Sequence, residues 1–418
     1  MANAGSLTLL NPHADDFVSV PLSFMLVGRR GLCKYKYLVE EPIRHGLRPS
    51  ILIDGTLSSV IDQRLFNRFP KWLRDSILRV EVYLWLRFNG LAPNVDVHRS
   101  IDTIKDRTAL YIFSYKNCVG SFDRRIAAIY SFKCALINLS HYFIRTGEKA
   151  GNIEKLRNAH LVSEGDLSQN PCFQHFFSKK LVSVVPFAIS DRFTMERPLA
   201  ERDAKCAATG SFHNLNEEEP FVYYREFIEF FKTDTYHPVR KMLHQHREEL
   251  SGWLTSRMSP YRETKGNNKS IGALLRNLLR LDVAQSEYFS FDMVDFYNQH
   301  QFAIVGEELS GAPAVGFFEA MACGCVTLGQ RGAYYNGLGL EPNVHYLRHD
   351  GTIESIKEAI DQAIADPARA ARISKAGIAY IASHCTQEHV WNKLKVIWDT
   401  RNKGGNASEP APIASIRG

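Results

Sequence analysis

Residues 302–328 read Phe302-Ala-Ile-Val-Gly-Glu-Glu-Leu-Ser-Gly-Ala-Pro-Ala-Val-Gly-Phe-Phe-Glu-Ala-Met-Ala-Cys-Gly-Cys-Val-Thr-Leu328. The segment opens as an apolar strand, passes two adjacent carboxylates, Glu307 and Glu308, and enters a Gly/Pro loop. A helical pattern then runs over Val315–Ala322, and a second apolar strand begins at Cys325. Strand, loop, helix and strand in that order make a βα unit with parallel strands. Ala320, Ala322 and Gly324 are small enough to let the helix lie close to the sheet. The first N–H groups of such a helix, at Val315 and Gly316, have no intrahelical acceptor and attract a diphosphate. Gly311 and Gly316 let backbone approach a ligand closely. Glu319 can accept hydrogen bonds from both hydroxyls of a ribose, though an ordinary surface glutamate is the plain alternative.

The same rhythm extends outward on both sides. Toward the N-terminus, Phe17–Val27, Pro49–Asp54, Thr108–Tyr115, Cys134–Leu139, Ala159–Glu164 and Val182–Pro186 read as strands between helical patterns. Their continuous apolar runs suit a parallel sheet buried on both faces. Gly28-Arg-Arg-Gly31 forms a glycine-bounded turn after the first of them. Glu196–Lys205 is charged and reads as a linker, after which the pattern restarts with Cys206–Gly210. Helix-like patterns cover Pro220–Lys232 and His237–Leu254, and Met258–Ser270 reads as a polar loop. Three helices, Thr352–Ala365, Pro367–His384 and Gln387–Arg401, close the chain before a polar tail. The fold class is therefore α/β, with two Rossmann-like domains enclosing a cleft. Ligands bind at strand C-terminal ends in such a cleft.

Composition narrows the function. The chain has 418 residues, 45% of them hydrophobic and 23% charged, which excludes disordered, collagen-like and disulfide-stapled classes. A net charge of +6 suits anionic small ligands or an anionic membrane surface and does not require nucleic acid, so no nucleic-acid partner is expected. The eight cysteines include no CxxC pair, so no metal site is expected. The first twenty residues lack a basic start with an apolar core, and no 18-residue uncharged apolar run occurs, so a cytoplasmic protein is expected.

Glu319-Ala-Met-Ala-Cys-Gly324 with Val326-Thr-Leu328 resembles the C-domain signature of GT-B glycosyltransferases, especially the retaining family 4. Other positions agree in outline: the Gly28–Gly31 turn, His141 at a strand end, Ser163-Glu164, Val185-Pro186 and Asp191-Arg192-Phe193. The resemblance implies an acceptor domain over residues 1–195 and a nucleotide-sugar donor domain over 196–385. The helix at 386–401 is expected to pack back on the first domain, and the polar Gly-, Pro- and Ser-containing tail at 402–418 to be disordered; the resemblance implies no obligatory metal or other cofactor. The implied reaction moves a sugar from a nucleotide-sugar donor to a glycan or lipid-linked acceptor, as in bacterial cell-surface polysaccharide synthesis, at the inner face of the membrane.

The resemblance also distributes roles. Glu319, Gly311, Val315 and Gly316 fall to the donor, as does Glu307, with His141 and Glu308 as the catalytic candidates. Family 4 carries a second glutamate eight positions before the ribose-binding one; here that position is Gly311, and Glu307 and Glu308 lie twelve and eleven positions before Glu319. The family's basic phosphate ligands are replaced by Ser211, His213 and Arg225. Arg29 and Arg30, with Gly28, form a loop that could meet a phosphate or an anionic acceptor. Phe66–Phe88 mixes aromatics with Arg68, Lys71, Arg74, Arg79 and Arg87, which suits either a membrane surface or a core-facing helix with a solvated basic face. Two further classes stay open: another GT-B-like enzyme, an epimerase or phosphorylase, and a non-catalytic nucleotide-sugar-binding protein.

Overall fold

The computed structural model describes residues 6–12, 35–53, 63–88, 90–91, 94–112, 129–139, 158–167, 182–212, 233–260, 291–309 and 311–402. Among them the first half of the chain forms a seven-stranded sheet from β1 (Leu7–Leu10), β2 (Ser50–Leu52), β3 (Asp96–His98), β4 (Ala109–Ile112), β5 (Cys134–Asn138), β6 (Ala159–Ser163) and β7 (Val182–Val184). Its order is β3-β2-β1-β4-β5-β6-β7, and every pairing is parallel. The second sheet holds β8 (Asp203–Phe212), β9 (Leu254–Pro260), β10 (His300–Ile304), β11 (Val326–Gln330) and β12 (Leu347–His349). Its order is β12-β11-β10-β8-β9, again all parallel. The α/β reading with two Rossmann-like sheets is borne out.

Central strands are buried along their whole length, as β1, β4 and β5 illustrate. Both faces of these strands are covered, which explains their unbroken apolar sequence. In the first sheet Leu9, Ile51, Tyr111 and Leu136 pack with Leu38 of helix α1 (Tyr37–Arg44) and with Val82 and Trp85 of α2 (Lys71–Phe88). In the second sheet the pleat divides the core. Ala207, Ala303 and Val305 join Phe317 and Phe318 on one side, while Cys206, Ala208, Phe302 and Ile304 join Ile356 and Ile360 on the other.

Helix starts carry local signals. Asp292 accepts the N–H groups of Val294 and Asp295 at the head of α4 (Met293–Gln299), a helix that follows α3 (Pro238–Gln245) in the chain. Helix α5 spans Val315–Ala322 and α6 spans Ala333–Gly337. Thr352 caps α7 (Ile353–Ala365), and Asp366 with Pro367 starts α8 (Pro367–His384). The last helix, α9 (Gln387–Asn402), sends Trp391, Leu394 and Trp398 into the core of the first sheet.

Several local expectations change. The strand expected over Phe17–Val27 and the turn at Gly28–Gly31 lie outside the described residues; the described strand that leads the first sheet is the short β1, two places from the β3 edge. Helix α3 stops at Gln245, and the chain turns through Gly252 into strand β9, so neither a helix to Leu254 nor a loop from Met258 is formed. Strand β9 is an edge, and its Thr255, Ser256 and Arg257 are only partly covered, which hides the apolar run that marks inner strands. Strands β3 and β12 are also short edge strands that the sequence pattern did not mark.

The charged stretch 196–205 is not a solvated linker throughout. Arg202 is buried and donates from Nη2 to the carbonyls of Arg197 at 2.6 Å and Cys323 at 2.8 Å. Burial pulls its pKa down. Beyond β6, a Cβ on Gly165 would strike the Tyr334 ring of α6 at 2.2 Å, so the end of one sheet rests against a helix of the other. The Phe187 and Phe318 rings, 5.6 Å apart, extend that contact.

Candidate functional site

In an open parallel sheet the ligand crevice lies at the carboxyl ends of the strands, where the strand order reverses. In the second sheet β9 lies to one side of β8 and β10–β12 to the other, so the reversal falls between β8 and β10. Arg240 of α3 is buried at that point. Its Nε donates to the Val305 carbonyl at 2.7 Å, its Nη1 to Ser211 at 2.8 Å and its Nη2 to Gly306 at 3.1 Å. One guanidinium thus ties the ends of two strands through backbone oxygens. Two glycines make the room: a Cβ on Gly210 would stand 2.9 Å from Arg240 Cδ, and one on Gly306 3.0 Å from its Cγ.

The chain leaving β10 sends two carboxylates to opposite sides. Glu307 Oε1 accepts the backbone N–H of Gln330, at the end of β11, at 2.6 Å and the hydroxyl of Tyr335 on α6. Its Oε2 is buried without a hydrogen-bond partner, 3.9 Å from the similarly orphaned Nε2 of His349 at the end of β12. Burial holds the His349 pKa below the ordinary histidine value, against the pull of Glu307 and Asp350. Burial, then the charge of Glu307, raises the Tyr335 phenol well above its usual range. Glu307 therefore clamps its own strand to β11 and α6.

Glu308 faces the other way, and its Oε2 accepts the hydroxyl of Tyr236 at 2.8 Å. A tight turn follows, in which Gly311 donates to the Glu308 carbonyl at 2.8 Å with φ +82°. The turn delivers the chain to α5, where Ala314 provides no side-chain cap. The opening N–H groups of α5, at Val315 and Gly316, are left for another acceptor. Gly316 is also needed for packing: a Cβ there would meet the Tyr297 hydroxyl at 3.1 Å. Glu319 follows one turn later and is 9% exposed.

The carboxyl ends of the first sheet carry different chemistry. Glu164 Oε1 accepts the Tyr35 hydroxyl at 2.6 Å and Asn138 Nδ2 at 2.9 Å. Asn138 Nδ2 also lies 2.9 Å from the Tyr35 oxygen and 3.2 Å from that of Tyr111. Burial first, then Glu164, pushes the Tyr35 phenol well up. A small pocket beside this network is lined on one side by Pro186, Phe187 and Ala188.

Of the residues singled out in the sequence, Glu307, Glu308, Gly311, Val315, Gly316 and Glu319 come from one continuous stretch beyond β10, and Ser211 meets it through its carbonyl on Arg240. Gly28, Arg29, Arg30, His141, His213 and Arg225 lie outside the described residues. Sequence reasoning missed Arg240, Tyr236, Tyr335 and His349. The pair of glycines at two strand ends was the available signal for a bulky group between them. Cys323 and Cys325 are buried, and burial raises both thiols, Cys325 to about 12.

Residues 270–395 match a family model described as glycosyl transferase-like. No curated protein matches the chain in sequence. Among solved structures, HepE from Anabaena in complex with UDP and glucose is 13% identical, with 95% of this chain and 100% of that one covered and a TM-score of 0.52. The same protein with UDP-glucose gives 12% identity, 94% and 100% coverage and 0.51. A glycosyltransferase from Rickettsia africae is 9% identical over 96% of this chain and 100% of its own, with a TM-score of 0.52. Sucrose-phosphate synthase from Thermosynechococcus elongatus gives 12%, 96%, 100% and 0.50. At these identities the likeness is one of fold.

Proposed function

With a GT-B fold and a glycosyl transferase-like segment over residues 270–395 as the premise, we propose that this protein is a glycosyltransferase. It moves a sugar from a nucleotide-sugar donor to a glycan or lipid-linked acceptor at a membrane surface, in the manner of cell-surface polysaccharide synthesis. The observation that carries the reading is the uncapped start of α5 beside Glu308 and Glu319, next to the strand reversal that Arg240 braces. The donor diphosphate takes the N–H groups of Val315 and Gly316. Glu319 takes the ribose hydroxyls. Glu308, held by Tyr236, faces the transferred sugar. Glu307, already committed to Gln330 and Tyr335, supports that site from behind. By the resemblance, Ser211, His213 and Arg225 are assigned to the donor phosphates, Gly28, Arg29 and Arg30 to a phosphate or an anionic acceptor, and His141 to catalysis at the donor sugar or leaving phosphate. HepE, of the same fold, was solved with UDP-glucose, and a UDP-sugar is the first donor to try.

Glycosyl transfer passes through an oxocarbenium-like state while negative charge grows on the departing nucleoside phosphate. Fixed N–H dipoles and basic side chains stabilise that charge with little reorganisation. Closure of the two domains excludes water that would hydrolyse the donor.

Calorimetry with UDP-, GDP-, dTDP- and CMP-sugars tests the reading. One of them binds, and Glu319→Ala weakens it by about 1–3 kcal/mol, the scale of lost hydrogen bonds to a charged group. Failure of every nucleotide sugar to bind sinks the proposal. Binding without transfer to any glycan or lipid acceptor favours a non-catalytic binding protein instead.

A further inference from the structure

Helix α2 keeps one face for the core and leaves another in solvent. Leu78, Val82, Trp85 and Leu86 are buried. Trp72, Val80 and Tyr83 are 69%, 58% and 55% exposed. At 3.6 residues per turn, Trp72, Arg79, Val80, Tyr83 and Arg87 fall within an arc of about 100°. An exposed tryptophan, valine and tyrosine in one stripe go beyond the scatter of single apolar residues on an ordinary surface. The charges around them share one sign. Arg68, Arg79 and Arg87 are exposed, and Arg87 Nη1 donates to the Tyr83 hydroxyl at 3.2 Å. The acids of α2 lie off the stripe: Asp75 is paired with Lys71 at 3.3 Å and Glu81 is buried.

We propose that this stripe is a docking face for an anionic lipid bilayer, with α2 lying in the interface plane. Tryptophan and tyrosine seat an apolar body in the acyl boundary and keep a polar tip in the headgroups. Arginines beside them meet lipid phosphates, and their guanidinium planes match phosphate geometry. A second copy of the chain fits poorly, because a two-fold contact sets this basic stripe against its own copy. A nucleic acid could stack on Trp72 but would leave the aliphatic Val80 without a partner suited to it. No described helix is long and apolar enough to cross a membrane, so attachment through this face is peripheral. The inference extends the acceptor reading above but is read by vesicle binding alone, so each stands or falls separately.

The test is co-sedimentation of the full chain with phosphatidylcholine vesicles, with and without one-third phosphatidylglycerol. Binding to the anionic vesicles is expected, with at least tenfold loss on raising salt from 50 to 500 mM. Trp72→Ser with Tyr83→Ser, and separately Arg79→Glu with Arg87→Glu, each lower the partition coefficient at least tenfold while the thermal midpoint stays unchanged. The proposal is overturned if the wild-type chain ignores anionic vesicles, or if neither double variant changes its partition. It is equally overturned if Trp72→Ser with Tyr83→Ser abolishes a dimer, or if the stripe binds an oligonucleotide and no vesicle.

Discussion

The carboxyl ends of the two sheets are built from opposite materials. At the second sheet a full positive charge is spread over backbone oxygens: Arg240 donates to the carbonyls of Ser211, Val305 and Gly306. Two carboxylates leave the same strand and are pinned apart, Glu307 toward β11 and Glu308 toward Tyr236. At the first sheet the partners are neutral side chains, and one carboxylate, Glu164, collects a phenol and an amide. Bonds from a charge to main-chain oxygens fix the strand ends themselves, whereas bonds among side chains fix only those side chains. The second sheet thus has strand ends fixed through the main chain, which suits the donor seat proposed there, and the first has a side-chain network closed on Glu164.

The largest expected effect breaks the rigid end. Arg240→Met keeps the stem of the side chain but removes every donated bond and leaves buried carbonyls unpaired. A loss of about 3–4 kcal/mol is expected, because charge-assisted bonds and the desolvated oxygens they serve both count. Urea unfolding measures it, and donor affinity in the surviving folded fraction should fall as well. A variant as stable as the parent would mean that the strand ends hold without Arg240, and the contrast between the sheets would disappear.

The contrast was only partly legible in the sequence. The βα rhythm and the 302–328 block could be read because their strands are buried on both faces and their turns are glycine-rich. Arg240 could not be identified, since its partners are backbone carbonyls some thirty and sixty-five positions away, and carbonyls carry no sequence signature. In the sequence, an arginine within an amphipathic helix reads as a solvated one. Tyr35 and Asn138 were missed for a related reason, as their network joins segments 103 residues apart. Leu7–Leu10 was too short to register as a strand, although it lies inside the sheet. Glu307 and Glu308 look equivalent as adjacent residues, yet just past the left-handed Gly306 they take different neighbours, Gln330 and Tyr335 for one and Tyr236 for the other.

A middle-sized effect separates the sheets functionally. Glu164→Ala removes the acceptor of Tyr35 and Asn138 at the first sheet. The expected stability loss is about 1–2 kcal/mol, for two bonds whose donors can regroup around Tyr111. Donor affinity should stay within twofold, because the proposed donor seat is at the other sheet, while turnover with an acceptor should drop. Parallel calorimetry and transfer assays decide the matter. A tenfold fall in donor affinity would place Glu164 in the donor site and dissolve the division of labour.

The smallest effect sharpens how charge is stored at the second sheet. His349 sits 3.9 Å from Glu307, and burial lowers its pKa. An unfolded histidine titrates near pH 6.5, so below that value the unfolded chain binds a proton that the folded chain resists. Stability from this group is therefore complete above about pH 6.5 and declines as pH falls toward the depressed folded value. Thermal midpoints should drop between pH 7 and pH 5, and His349→Gln should flatten that drop by roughly 1 kcal/mol or less, since Glu307 offsets part of the burial. If His349→Gln steepened the slope, the imidazole would be protonated against Glu307 in the native state. The second sheet would then carry a closed ion pair and not the neutral histidine that its burial implies.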